Sequence, residues 1–303
     1  MKPVTVGITT RNRPAALARA LLSLRCAADV IAEAIVFDDA SDPAVDAARD
    51  TRAVAVPTRV IRDDSAPGYI VGRNRLVEAA STPFVLLMDD DAALLSREAT
   101  QAAVDVLQGD PSAAAVAFAQ ANADGTPWAS SMQPALCARP ALVRSFIGFA
   151  HLLRRDVFRQ IGGYQELFGF HGEEKELCIR LIDRGHHVVY LPDALVIHSP
   201  DPASRDSRRY LRHVTRNDCL TSIINDPWPR TLWIVPARLA LYFRMRRSWQ
   251  IRDPGGFGWI LRELGRTLPT ALHRRRPVSR GTLRRWRELG REGQPYTPGA
   301  GVA

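Results

Sequence analysis

The sequence predicts an α/β fold with a mostly parallel, doubly wound central sheet. Two observations carry that prediction. Short apolar or β-branched runs alternate with segments of helical spacing, and two of those runs stop at aspartate clusters, Asp38-Asp39 and Asp89-Asp90-Asp91. Ligands of such sheets bind outside the carboxyl ends of the strands, so both clusters are expected to face one crevice.

In chain order, Val4–Thr9 is a β-branched strand, and Leu17, Leu21, Leu22 and Leu24 mark a helix over Pro14–Arg25. Ala34–Phe37 reads as a second strand, Pro43–Arg52 as a helix, Thr58–Ile61 as a third strand, Gly72–Ala80 as a helix and Phe84–Met88 as a fourth strand. Gln101–Leu107 is expected to be helical, Ala113–Phe118 extended, and Asn122-Ala123-Asp124-Gly125 a turn. Phe146–Leu153 reads as extended and Arg155–Ile161 as a helix that Gly162-Gly163-Tyr164 breaks. Leu177, Leu181 and Ile182, with Gly185 as a stop, predict a helix over Glu173–Arg184; His187–Leu191 and Ala194–His198 read as two short strands. A basic helix over Arg205–Ile224, a break at Asp226-Pro227-Trp228-Pro229 and Arg-rich helices with Trp249, Trp259 and Trp286 complete the chain. The expected division is an α/β domain over 1–225, in two parts of about 1–110 and 111–225, a basic helical extension over 226–292, and a disordered tail over 293–303.

Charge sharpens that division. The 303 residues carry a net +9, yet residues 244–292 hold 14 Arg against Asp253, Glu263, Glu288 and Glu292, a local +10, so the remainder is nearly neutral. Cys26, Cys137, Cys178 and Cys219 are far apart, with neither a C-x-x-C pair nor zinc-finger spacing, which argues against a structural zinc site or a disulfide scaffold. The opening Met1-Lys2-Pro3-Val4-Thr5 lacks the pattern of a secretory signal, so a cytoplasmic location is expected. Thr231–Phe243, the most apolar stretch, contains Pro236 and Arg238 and is shorter than the ~20 residues that span a bilayer.

The acids of Asp89–Asp91 form a cluster of hard oxygen ligands. Crowded carboxylates call for a proton or a cation, and oxygen donors favour Mg2+ or Mn2+; a solvated, helix-capping turn is the plainer alternative. The companions decide between them. In order come Thr9-Thr10-Arg11-Asn12-Arg13, Phe37-Asp38-Asp39-Ala40-Ser41-Asp42, Gly72-Arg73-Asn74, Leu87-Met88-Asp89-Asp90-Asp91, Gly162-Gly163-Tyr164, Gly172-Glu173-Glu174 and Val196-Ile197-His198. Over about residues 3–225 this series resembles the family 2 glycosyltransferases of GT-A fold. The resemblance implies an inverting, nucleotide-sugar-dependent enzyme that moves a hexosyl or deoxyhexosyl group.

It also implies roles. Asp39 would hold the base or ribose of the donor, with Thr9 and Arg11 as the wall; Arg11 stands where many relatives have an aromatic residue. Arg73 and Asn74 would bind donor, Asp89 would contact ribose or metal-bound water, Asp91 would ligate Mn2+ or Mg2+, and His198 would be a further ligand. Glu174 matches the general base, one methylene longer than the family's usual Asp. Gly162, Gly163, His171 and Glu173 fall on the acceptor side, although for Glu173 and Glu176 helix stabilisation or salt bridging is preferred. Asp38 and Asp42 read as capping residues. The implied partners are a UDP-, dTDP- or GDP-linked donor and an acceptor glycan, lipid-linked saccharide or small natural product of cell-envelope or secondary chemistry.

The Arg/Trp extension is compatible with peripheral contact with an anionic membrane at its inner face, with an anionic acceptor, or with a solvated face packed through its tryptophans. No nucleic-acid-binding signature accompanies the charge. No Gly-rich phosphate loop follows the first strand, which argues against a sugar-nucleotide pyrophosphorylase, and no G-x-G-x-x-G follows a strand, which argues against a dinucleotide oxidoreductase. The competing reading from another class is a catalytically inactive relative that serves as a basic membrane-surface or polyanion-binding module.

Overall fold

The computed structural model describes residues 2–46, 54–201 and 206–297. The first half runs β1 (Val4–Thr10), α1 (Pro14–Ser23), β2 (Ile31–Asp38), β3 (Thr58–Arg62), α2 (Tyr69–Ala79), β4 (Phe84–Asp89), β5 (Ala92–Leu94) and α3 (Arg97–Gly109). The second runs β6 (Ala113–Ala121), β7 (Ala141–Val143), β8 (Ala150–Arg154), α4 (Arg155–Gln160), α5 (Glu173–Asp183), β9 (His187–His198), α6 (Ser207–Asn225), α7 (Arg230–Ser248), α8 (Gly256–His273), α9 (Arg280–Glu288) and β10 (Gln294–Pro295).

Among the described residues one sheet has the order β10-β7-β9-β6-β8-β4-β1-β2-β3, with β5 paired to β9 beside that path. Strands β4, β1, β2 and β3 are parallel throughout, as is the β6–β9 pair. Antiparallel β8 joins those two blocks by pairing with both β4 and β6. β1 is buried along its whole length, which is why it reads as a continuous apolar and β-branched run with no alternation. Core side chains fill both faces of the sheet, Leu17, Leu21 and Val104 among those on one and Leu76, Val77, Phe158 and Leu177 among those on the other.

Several expectations are corrected. α2 starts at Tyr69, three residues early, because Gly68 at φ 93° supplies the turn into it. α3 begins at Arg97, where the Ser96 side chain caps the Ala99 N–H. The two short strands are one, β9: its pairing with β6 jumps from Leu191 to Leu195, so Pro192 sits in a bulge and its missing N–H costs no ladder bond. Pro43–Asp46 are not helical, and the rest of the expected helix to Arg52 lies outside the described residues. The tail is ordered at its start: Gln294 and Pro295 pair with Leu142 and Ala141 of β7, and the Tyr296 hydroxyl donates to Asp110. Residues 298–303 lie outside the described residues.

The extension shares the core. Tyr242 of α7 and Ile260, Leu264 and Ala271 of α8 enter the same apolar cluster as Leu211 and Leu220 of α6 and Leu177 of α5. Trp259 packs on that cluster and the Trp286 indole donates to the Arg144 carbonyl, whereas Trp228, Trp233 and Trp249 are exposed.

Candidate active site

Register brings the two acidic clusters together. Thr9 of β1 pairs with Phe37 on one side and Asp89 on the other, and Thr10 pairs with Asp38, so β2, β1 and β4 end at one level. Asp38 is buried and accepts from the Ser41 N–H (2.8 Å), the Val45 N–H (3.0 Å) and Arg62 (2.5 Å). Burial raises its pKa, but these bonds outweigh it and hold the carboxyl below its ordinary range, so it shapes the loop. Asp39 Oδ1 accepts from the Gly68 N–H (2.9 Å), and its Oδ2 lies 3.9 Å from the guanidinium of exposed Arg11. Thr9, Arg11 and Asp39 thus gather at the crevice mouth.

The three consecutive aspartates have three environments. Asp89 Oδ1 accepts from Arg73 (2.7 Å), whose side chain also donates to Glu173 Oε1 (3.0 Å) and the Gly148 carbonyl (2.7 Å) and lies 4.7 Å over the Tyr69 ring. Burial of Arg73 favours deprotonation; Asp89 and Glu173 more than offset it and keep the cation charged. Asp90 is buried on Thr10 (2.8 Å) and Arg13 (2.5 Å), and burial, against those bonds, pushes its carboxyl up to about 7. Asp91 Oδ2 accepts from Arg13 (3.0 Å), whereas its Oδ1 is buried without a hydrogen-bond partner.

That oxygen faces His198 Nε2 at 3.7 Å. The other nitrogen, Nδ1, meets Gln120 Oε1 at 2.6 Å, and the Gln120 amide N–H2 donates to the Met132 carbonyl. With the amide so oriented, Nδ1 donates to Gln120 and the ring is held with Nε2 on the Asp91 side, the kind of support a ligating imidazole receives. Trp128 and Phe149 stack on the ring at 5.2 and 4.8 Å. The expected trio is corrected in one respect: Asp89 is taken by Arg73, and among the described residues no three His, Cys, Asp or Glu side chains are gathered to hold a metal. The residues that fit an ion are Asp91 and His198.

Glu174 opens α5 beside Glu173, after Gly172 in the left-handed region at φ 90°. Glu173 is fully buried on Arg73, so it does not face an acceptor; the salt-bridge reading describes it, and Glu176 likewise pairs with Arg180 at 2.6 Å. Glu174 is half-buried, and its Oε1 stands where a β-carbon on Gly148 would be, 2.3 Å from it, so only glycine leaves that carboxylate its place. Burial pushes both carboxyls up against the pull of Arg73, Glu173 to about 8. His171, at φ 61°, donates its N–H to the Tyr69 hydroxyl (2.8 Å), and its ring meets Tyr210 edge-on at 4.8 Å. Burial, helped by Arg73, lowers it to about 4, so it is neutral at pH 7.

Two expectations change. Asn74, expected on the donor, spends its amide on the Tyr164 backbone in both directions (3.0 and 2.9 Å) and on Glu166 (3.0 Å). Gly162 and Gly163, expected beside the acceptor, form a left-handed turn fixed by Asn74, Phe158 and Arg180. A surface concavity of about 680 Å3 beside Asn74, Phe158 and Gly163 holds none of the strand-end acids.

Residues 5–162 match the model of glycosyl transferase family 2. The chain belongs to that family. Its GT-A fold is also that of the Pyrobaculum calidifontis mannosyltransferase PcManGT in complex with GDP-Man and Mn2+ (TM-score 0.58, 15% identity, 95% of this chain and 87% of that one). The S. aureus TarS 1-349 structure with UDP-GlcNAc aligns with a TM-score of 0.61 at 16% identity, over 97% of this chain and 93% of that one. Among characterised proteins, the pre-mycofactocin glycosyltransferase of Mycobacterium tuberculosis is 29% identical over 220 residues, which is 68% of this chain and 44% of the relative. This family 2 chain therefore spans less than half the length of that protein.

Sequence reasoning missed four residues of the candidate site: Tyr69 under Arg73, Gly148 against Glu174, Gln120 on His198 and Trp128 stacked over it. Gln120 and Trp128 come from β6 and the loop after it, and no spacing rule joins them to His198 about seventy residues later.

Proposed function

We propose that the protein transfers a sugar from a nucleotide-diphosphate sugar to an acceptor hydroxyl with inversion, assisted by Mn2+ or Mg2+. The observation that carries the reading is the buried, unpartnered Asp91 Oδ1 facing His198 Nε2, with Glu174 across the Asp89–Arg73–Glu173 bridge from it. Asp39 accepts from base N–H or ribose hydroxyl groups, with Arg11 and Thr9 as the wall. Asp91 and His198 are the residues that would hold the ion. The ion there supplies Lewis-acid neutralisation of the charge on the departing nucleoside diphosphate.

Glu174 takes the proton of the acceptor hydroxyl as its oxygen bonds to the anomeric carbon, from the face opposite the phosphate. The anomeric carbon–phosphate oxygen bond breaks in the same displacement, which inverts the centre. A carboxyl held above its ordinary range by burial is a better proton acceptor than a solvated one, and Arg73 fixes its neighbour so that the two acids do not compete for one place. The donor class is UDP-, dTDP- or GDP-linked: of the structural relatives above, one is in complex with GDP-Man and the other with UDP-GlcNAc.

The test is a thermal-shift screen of nucleoside diphosphates and nucleotide sugars, with and without Mn2+, on wild type and Asp91→Asn. Saturation at 100 times the dissociation constant adds about 2.7 kcal/mol of stability. A metal-dependent shift lost in Asp91→Asn, with Mn2+-dependent sugar release, supports the reading. Absence of any nucleotide shift in the wild type sinks it in favour of the inactive basic module.

A further inference from the structure

Helix α7 presents an apolar face to solvent. Thr231 and Tyr242 turn inward, whereas Leu232, Trp233, Pro236, Ala240 and Phe243 are exposed along one side, Trp233 to 76%. Water-facing tryptophan and leucine at helical spacing are costly unless something covers them. The helix holds five arginines and no acid. Arg230 and Arg238 are paired with Asp226 and Asp218; Arg244, Arg246 and Arg247, at its C-terminal end, have no carboxylate partner among the described residues.

That end also carries a concavity of about 700 Å3, lined by Phe243, Arg246, Arg247, Ile251 and Arg252. Its one acid, Asp253, is committed to Arg212 and to the Tyr242 hydroxyl and is held below its ordinary range by those partners against burial. Three guanidiniums therefore line a basin with an apolar floor, at the end of an apolar face.

We propose that α7 and this basin dock the protein on an anionic phospholipid leaflet, with the apolar face in the headgroup–acyl boundary and a lipid phosphate among Arg246, Arg247 and Arg252. Charge complementarity selects this occupant. A second copy meeting the same face would bring five more arginines and no acid from its own α7, and a nucleic acid would leave Leu232, Pro236 and Ala240 uncovered. No described helix is long and apolar enough to cross a membrane, so the contact lies in the membrane plane.

The docking end adjoins the crevice. Trp249, just past α7, lies 6.0 Å from Tyr210, whose ring meets His171 beside the Arg73–Tyr69 pair. A leaflet seated on α7 places lipid headgroups next to the Glu174 side, so the acceptor class is a hydroxyl carried on a membrane lipid. That corollary rests on the proposed transfer reaction; the docking does not.

The experiment is sedimentation of the full chain with phosphatidylcholine vesicles, with and without phosphatidylglycerol, read alongside tryptophan emission. Wild type is expected to bind the anionic vesicles, weaken with salt and shift its emission to the blue. Arg246→Gln with Arg247→Gln should weaken binding roughly thirtyfold, and Leu232→Ser with Trp233→Ser at least about tenfold. Both pairs are solvent-exposed, so melting temperature and nucleotide binding should stay at wild-type values. Docking is overturned by equal affinity for uncharged vesicles, by indifference to both double variants, by free glycerol phosphate stripping the protein from vesicles, by an RNA that binds where vesicles do not, or by a dimer that Trp233→Ser dissolves. Loss of nucleotide binding with vesicle binding intact would instead break only the transfer reading.

Discussion

At the strand ends nearly every charge has a partner: Asp38 is held by Arg62, Asp89 and Glu173 share Arg73, and Asp90 and Asp91 share Arg13. On the outer face of α7 the arginines of the last turn have no carboxylate, and the apolar side chains before them no cover, among the described residues. The two regions therefore reveal function through opposite signals. In a buried network an unsatisfied atom is expensive, so the exceptions, Arg73 Nε, Asp91 Oδ1 and Glu173 Oε2, are what stand out. On a surface an unpaired charge costs little, so only its coincidence with exposed Trp and Leu is informative.

The sharpest way to break this comparison is to remove the shared cation. Arg73→Met leaves fully buried Glu173, and partly exposed Asp89, without their shared cation and should cost about 3–5 kcal/mol, read as a lowered melting temperature together with lost activity. An equally severe mutation of exposed Arg247 should leave stability unchanged within about 0.5 kcal/mol. Glu174→Gln should fold normally, keep nucleotide binding and lower kcat by roughly 10^2–10^4-fold; unchanged kcat would remove Glu174 from the chemistry. Gly148→Ala displaces Glu174 Oε1 and should lower kcat by about a hundredfold with a smaller change in nucleotide affinity.

Acidity separates the regions next. A carboxyl raised on folding contributes stability that is present below its unfolded value of about 4.3 and is lost as pH rises through the folded value, about 8 for Glu173. Melting temperature should therefore decline between about pH 5 and pH 8, and Glu173→Gln should flatten that slope. The acid limb of kcat/KM should lie above the ordinary glutamate range, following Glu174. The smallest effect belongs to the extension: Tyr242→Phe removes one buried bond to Asp253 and should cost about 1 kcal/mol, with no change in kcat.

Periodicity and punctuation were enough to place β1, β2, β3, β4 and α5, because a strand buried on both faces and an amphipathic helix ending at Gly185 leave local patterns. They failed where a distant partner decides. Pro192 reads as a break, yet a bulge against β6 makes one strand of two; Gly293 reads as the start of a loose tail, yet β7 offers an edge for Gln294 and Pro295. Asn74 and Arg73 are neighbours in a helix and both carry side-chain N–H donors, but one is turned to the Tyr164 backbone and the other to Asp89.

By itself the sequence determined which residue types stand at which strand ends, since strand, turn and acid are written consecutively at Asp38-Asp39 and Asp89–Asp91. It also confined the positive charge to the last helices. Only the tertiary structure decided which acids keep an unpaired oxygen, which glutamate is walled off by Arg73, and which tryptophans face water. The physical reason is that hydrogen-bond satisfaction and burial are properties of pairs brought together across the fold, whereas composition and spacing are properties of a segment.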